Sequence, residues 1–349
     1  MRNFKLKLGL TVLINASLLG CGGGGSGSND SVAASVGSAG NSGATYSAIT
    51  RANYETVAST VLDPLGELTS LNSATGLIAS GVEVNEANAN AAASSLASVS
   101  TRIYKRFTRT TGQFVTGATY TEACSRGGSV TVSESAASDD RVTAGDRATL
   151  TANNCAEDDL PALNGTLSIV IDSVSGDPVN TNRYSLGLTA TFGNLLMNNG
   201  DRRVQIDGAL KILASQNGSS DISVGLSGQR LGLSVTQSGM ATNAYSLADF
   251  NLTGTESGST TSLSGSYTLS GTSARLGAYV YRVETVRPVV TSGFGSFVSA
   301  GAMRITGSPA MVTVTALDGT SLLVEYSANG DGVVSASSTL TRSQFDALN

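Results

Sequence analysis

The sequence predicts a mainly β protein: a large, curved antiparallel meander, half-barrel or barrel-like, with one or two N-terminal helices packed on it. Three observations lead there. Apolar residues alternate with Ser, Thr and Gly from Gly128 onward. Short polar turn clusters interrupt that alternation at intervals. Helical spacing is confined to the segment before it.

The helical segment comes first in the chain. Tyr54, Val57, Val61, Leu65 and Leu68 recur at three- and four-residue steps, the spacing of one helix face. Asp63-Pro64 interrupts them, with Asp63 suited to a cap and Pro64 to a first turn. A second stretch, from Glu86 to Arg109, aligns Ala92, Leu96, Val99, Ile103 and Phe107.

In the β region Leu186, Leu188, Ala190 and Phe192 alternate with polar residues. The same holds for Val204, Ile206 and Leu210, for Ile222, Val224 and Leu226, and for Leu231, Leu233 and Val235. Leu263, Tyr267 and Leu269, then Val312 and Val314, continue the pattern. Turn clusters stand at Asn198-Asn199-Gly200-Asp201, Gln216-Asn217-Gly218, Ser238-Gly239 and Asp318-Gly319. Strands of about 7–10 residues joined by short turns make a meander. About a dozen strands with one apolar face must curl, close or be covered. A transmembrane barrel shares the alternation but carries aromatic girdles. This chain has no Trp and 5% aromatic residues, which speaks for the non-membrane reading.

Residues 1–20 have the parts of an export signal. Arg2, Lys5 and Lys7 precede an apolar run from Leu8 to Leu19 that is too short to span a bilayer, which takes roughly 20 residues. Leu18-Leu19-Gly20-Cys21 resembles the lipobox of bacterial lipoproteins. That resemblance implies lipid on Cys21, several acyl chains and stable membrane attachment. Gly22 at the next position implies the outer membrane, with the face undetermined. Residues 21–43 read as a Gly/Ser tether, 44–110 as the helical segment and 111–349 as the antiparallel β domain. The glycine run after Cys21 is also similar in composition to surface lipoproteins of the transferrin-binding type.

The chain has 349 residues and a net charge of −5, a balance opposed to nucleic-acid binding, which relies on Lys and Arg. Three cysteines less a lipidated Cys21 leave Cys124 and Cys155, read as one disulfide of an exported protein.

Chemistry-bearing patterns are sparse. The absence of histidine removes Ser-His-Asp triads and histidine metal sites. No nucleotide loop or nucleophile elbow is present, so no catalytic residues and no enzyme activity are expected. Ser327, Asn329, Asp331, Gly332 and Val334 resemble the start of an EF-hand loop, with Asn329 and Asp331 as calcium candidates. Ser327 stands where that pattern has Asp, and Ser338 where it has Glu. A tight turn between strands explains the same residues and is preferred, so no metal or other cofactor is expected. Asp139, Asp140, Gly145-Asp146, Cys124, Asn154-Cys155 and Leu163-Asn164-Gly165 together resemble a pattern of uncharacterised proteobacterial lipoproteins. It implies no activity.

Arg102, Lys105, Arg106 and Arg109 cluster beside the apolar line of the second helical stretch. They are candidate contacts to an anionic surface, or simply complement a helix C-terminus, the preferred reading. Two roles are weighed. The first is a non-catalytic scaffold or partner-binding envelope lipoprotein. The second is a carrier of lipid or another apolar ligand held between sheet and helices, by analogy with periplasmic lipoprotein-localisation factors.

Overall fold

The computed structural model describes residues 45–61, 119–124, 126–135, 143–156, 162–176, 183–198, 202–218, 221–237, 242–257, 260–291 and 298–348. Helix α1 covers 54–61 of these. Fourteen strands follow: β1 (Thr119–Ala123), β2 (Ser129–Ser135), β3 (Arg147–Cys155), β4 (Ala162–Gly176), β5 (Arg183–Asn198), β6 (Arg202–Asn217) and β7 (Asp221–Gln237). Then come β8 (Asn243–Ser257), β9 (Thr260–Ser273), β10 (Gly277–Thr291), β11 (Val298–Thr306), β12 (Met311–Ala316), β13 (Ser321–Ser327), β14 (Ala336–Thr341) and helix α2 (Arg342–Asp346).

All fourteen strands lie in one sheet in chain order, each antiparallel to the next. No ladder joins β1 to β14 among the described residues, so the meander is open rather than a closed barrel. The turn clusters read from the sequence fall between β5 and β6, β6 and β7, β7 and β8, and β12 and β13. The strands are longer than the alternation suggested. Ile222–Leu226 and Leu231–Val235 belong to the same strand, β7, which runs 17 residues.

What joins such segments is a line of bulges crossing the sheet. Between Phe192 and Leu195, β5 uses one residue more than β6 does between Gly208 and Ile206. Strand β8 does the same between Ala248 and Asn251 against β9, and β3 between Ala152 and Cys155 against β4. Strand β7 has its extra residue between Ser227 and Leu231 against β6. Register shifts continue the line into β10 and β11 near Arg287. Asn154, Asn194 and Asp249 sit on it with φ of 46°, 48° and 47°, the left-handed region that Asn and Asp tolerate best after Gly. A bulge bends its strand and increases twist, so an aligned row of them creases the whole sheet.

The crease also keeps the apolar face inside. A slip of one residue turns every later side chain to the other face. In β5 the buried residues are Tyr184, Leu186, Leu188, Ala190 and Phe192, then Leu195 after the bulge. In β8 they are Tyr245 and Leu247, then Phe250 and Leu252. The extra residue cancels the change of phase. Residues from β4 to β14 consequently form one continuous core with α1 and α2.

Helix α1 contributes Tyr54, Val57, Ala58 and Val61 to that core, as the helical spacing predicts for its first turns. Leu65, Leu68 and the stretch from Glu86 to Arg109 lie outside the described residues. At the other end Thr341 caps α2 in a reciprocal box with Gln344. Phe345 is buried and its carbonyl accepts from Ser59 Oγ at 2.8 Å, which fastens α2 to α1.

Candidate functional site

The loop 328–335 between β13 and β14 holds the metal candidates Asn329 and Asp331, and its shape follows from its own side chains. Asp331 Oδ1 accepts from Ser327 Oγ at 3.0 Å and from the Val333 N–H at 2.9 Å. Ser327 Oγ accepts in turn from the Gly332 N–H at 3.2 Å. These hydrogen bonds hold the Asp331 carboxyl below its ordinary pKa, the Val333 amide contributing most. Ser335 closes the loop: its Oγ accepts from the Ala328 N–H, and its own N–H donates to the Tyr326 carbonyl at 2.7 Å. Asn329 and Asp331 are both exposed. Among the described residues no group of three or more His, Cys, Asp or Glu could hold one ion. The loop's own hydrogen bonds account for its shape.

The same loop does something its motif did not reveal. Gly330 and Gly332 take φ of 68° and 85°, and the chain then presents Val333 and Val334 outward, 67% and 49% exposed. The only sequence signal was two adjacent valines where the alternating pattern should place a polar residue.

Of the residues noted with the two cysteines, Asn154, Leu163 and Asn164 gather at the disulfide, whereas Gly145-Asp146 lies at the other end of β3. Cys124 and Cys155 are disulfide-bonded with Cα atoms 5.4 Å apart. The turn after Cys124 is tied to the same place, since the Arg126 N–H donates to the Ala156 carbonyl and the Ala156 N–H to that of Gly127, both at 2.9 Å. Asn164 Oδ1 lies 3.5 Å from the Asn154 N–H, across the bulge that precedes Cys155. Asp146 is buried, and its carboxylate accepts from the Thr143 N–H and Oγ1 at 2.7 and 3.0 Å. Its carbonyl accepts from the Ile171 N–H, and Gly145 donates to the Ile171 carbonyl. The Gly-Asp and Asn-Cys motifs are therefore the framework of the sheet's N-terminal edge.

Cys21, the basic cluster Arg102, Lys105, Arg106 and Arg109, and Asp139 and Asp140 lie outside the described residues. The inner face of the sheet is lined by large side chains with almost no exposure, among them Leu186, Leu188, Leu195, Ile206, Tyr267, Leu269 and Tyr281. Tyr279 and Tyr281 stack there with ring centroids 5.7 Å apart. Burial pushes the Tyr267 phenol well above its ordinary pKa and that of Tyr281 up to about 12, so both stay neutral. Tyr267 Oη has no hydrogen-bond partner among the described residues.

Set against protein-family models, curated proteins and solved structures, the chain matches none of them. The functional reading therefore rests on the residues themselves.

Proposed function

We propose that this chain is an outer-membrane lipoprotein whose β domain is a non-catalytic scaffold or partner-binding body. The observation that carries the reading is the Cys124–Cys155 bond. It uses the second and third of three cysteines, which leaves Cys21, behind its apolar run, as the one available for lipid. A disulfide also belongs to an oxidising compartment outside the cytosol.

The use of the sheet supports the role. Its apolar face is spent on the protein's own core, which favours a scaffold over a carrier of apolar ligands. The other face of β7 to β9 presents Ser223, Ser227, Ser234, Thr253, Thr255, Ser264, Ser266, Thr268 and Ser270, small hydroxyls suited to contact with another protein rather than to bond-breaking chemistry.

Crosslinking in intact envelopes, followed by purification of the chain, tests this. A single specific envelope protein should be recovered with the wild type and lost with Cys21→Ser, which releases the chain from the membrane fraction. Recovery of stoichiometric lipid in place of protein would instead favour the carrier.

A further inference from the structure

The residues nearest the proposed tether lie beside the exposed valines. Ser47 donates its N–H to the Val280 carbonyl at 2.9 Å and accepts from the Ser308 N–H at 3.1 Å. Ile49 packs where any side chain at Gly307 would stand, 2.5 Å from its Cγ1. The N-terminal segment thus enters the domain along the β11–β12 turn. That turn touches the β13–β14 loop: a Cβ on Gly330 would lie 2.6 Å from the Pro309 carbonyl oxygen, and one on Gly332 would lie 3.6 Å from Met311 Cε. Met311 pairs with Ser327 and Tyr326 with Ala336, so the loop stands at the end of the sheet where the chain arrives from residue 44.

We infer that Val333 and Val334 form a bilayer-contacting tip, which seats this end of the domain on the membrane that holds its lipid. The inference rests on the anchoring of Cys21 proposed above. The 22 residues 22–43 then separate the lipid from this end of the domain, and the high effective concentration that a short connection gives makes even a weak second contact productive. An apolar pair held outward by a hydrogen-bonded loop suits the interface, where buried apolar area drives binding. The chemistry nearby agrees. Asp331, the acidic group in the loop, turns one carboxylate oxygen back onto Ser327 and Val333, while Arg51, by the entry point, is exposed and cationic. Leu317, 50% exposed, stands at the β12–β13 turn at the opposite end of β13 and supplies a control.

The test uses the full chain reconstituted in vesicles of phosphatidylethanolamine and phosphatidylglycerol. A nitroxide is placed on Val333→Cys, or on Leu317→Cys for comparison. Collision rates with oxygen and with a water-soluble nickel chelate are then measured, and the mass of the N-terminal peptide is recorded. The expected result is an oxygen-to-nickel ratio several-fold higher at 333 than at 317, falling to the 317 value when Val334 is also changed to Asp. Lipid on Cys21 with equal ratios at the two positions overturns the tip and leaves the anchor standing. A chain with no lipid on Cys21 and an aqueous 333 removes both.

Discussion

At the β12–β13 turn a single oxygen of Asp318 organises the chain reversal. Oδ1 accepts from the N–H and Oγ1 of Thr320 at 3.0 and 2.8 Å, and from the N–H and Oγ of Ser321 at 3.0 and 2.8 Å. Led by the side-chain bond from Thr320, these donors lower its pKa from the ordinary 3.8 to about 2. They favour the charged form, so the turn gains stability wherever Asp318 is ionised. That contribution is complete above the unfolded value and is lost as pH falls through about 2. Because the side chain is solvated, the effect is modest. Urea midpoints of the wild type should exceed those of Asp318→Ala by a constant margin above about pH 5, shrinking toward none near pH 2. A margin that persists at the acid end would show that the hydroxyl contacts, not the charge, hold the turn.

At the scale of the element the crease decides the fold, and part of it can be read in advance. The apolar phase slips in the sequence itself: Leu226 is followed by Leu231, Phe192 by Leu195, Leu247 by Phe250. Each slip marks the place where a strand needs one extra residue to keep its face inward. The slips read more readily as strand ends because Gly, Asn and Asp gather there, the same residues that build turns. That is why strands of about 7–10 residues were expected where β4 to β10 run 14 to 17. The capping box from Thr341 to Gln344 has the Thr-x-x-Gln residue types of its kind, yet the alternating pattern alone did not point to a closing helix. The disulfide followed from counting cysteines. The outward setting of Val333 was not legible, because it depends on backbone angles at Gly330 and Gly332 that no periodicity encodes.

The steric half of the crease is testable on β9. Gly265 has φ of 141°, and a Cβ there would collide with the Asn251 carbonyl and lie 2.8 Å from Leu252 Cα. Both obstacles are backbone of the bulged neighbour and cannot swing aside. Gly265→Ala should cost about 2–4 kcal/mol. Gly225 sits in β7 where a Cβ would meet nothing nearer than Leu213 Cβ at 3.7 Å, so Gly225→Ala should change stability by no more than about 1 kcal/mol. Urea unfolding of the two variants decides it. Equal losses would mean that the sheet bends without the close approach at Gly265.

For the molecule as a whole the important division is between the two cores that the described residues form. The large one takes in β4 to β14 with both helices. The small one consists of Cys124, Ala152 and Cys155 with Val130, Leu150 and Leu163 packed on it. The edge formed by β1 and β2 therefore draws little from the main core and depends on the disulfide, which closes a loop of sequence separation 31. In the chain-entropy description such a closure is worth about 3–4 kcal/mol. A sheet edge held this way should open on its own, because local stability follows the buried contacts of each unit. Reduction, or Cys124→Ser with Cys155→Ser, should then speed amide exchange from Thr119 to Ser135 by orders of magnitude while leaving β5 to β9 protected as before. Exchange mass spectrometry of the reduced and oxidised chain reads both regions in one experiment. If protection falls equally across β5 to β9, the edge and the main body unfold as one unit, and the disulfide stabilises the entire sheet instead of its first strands.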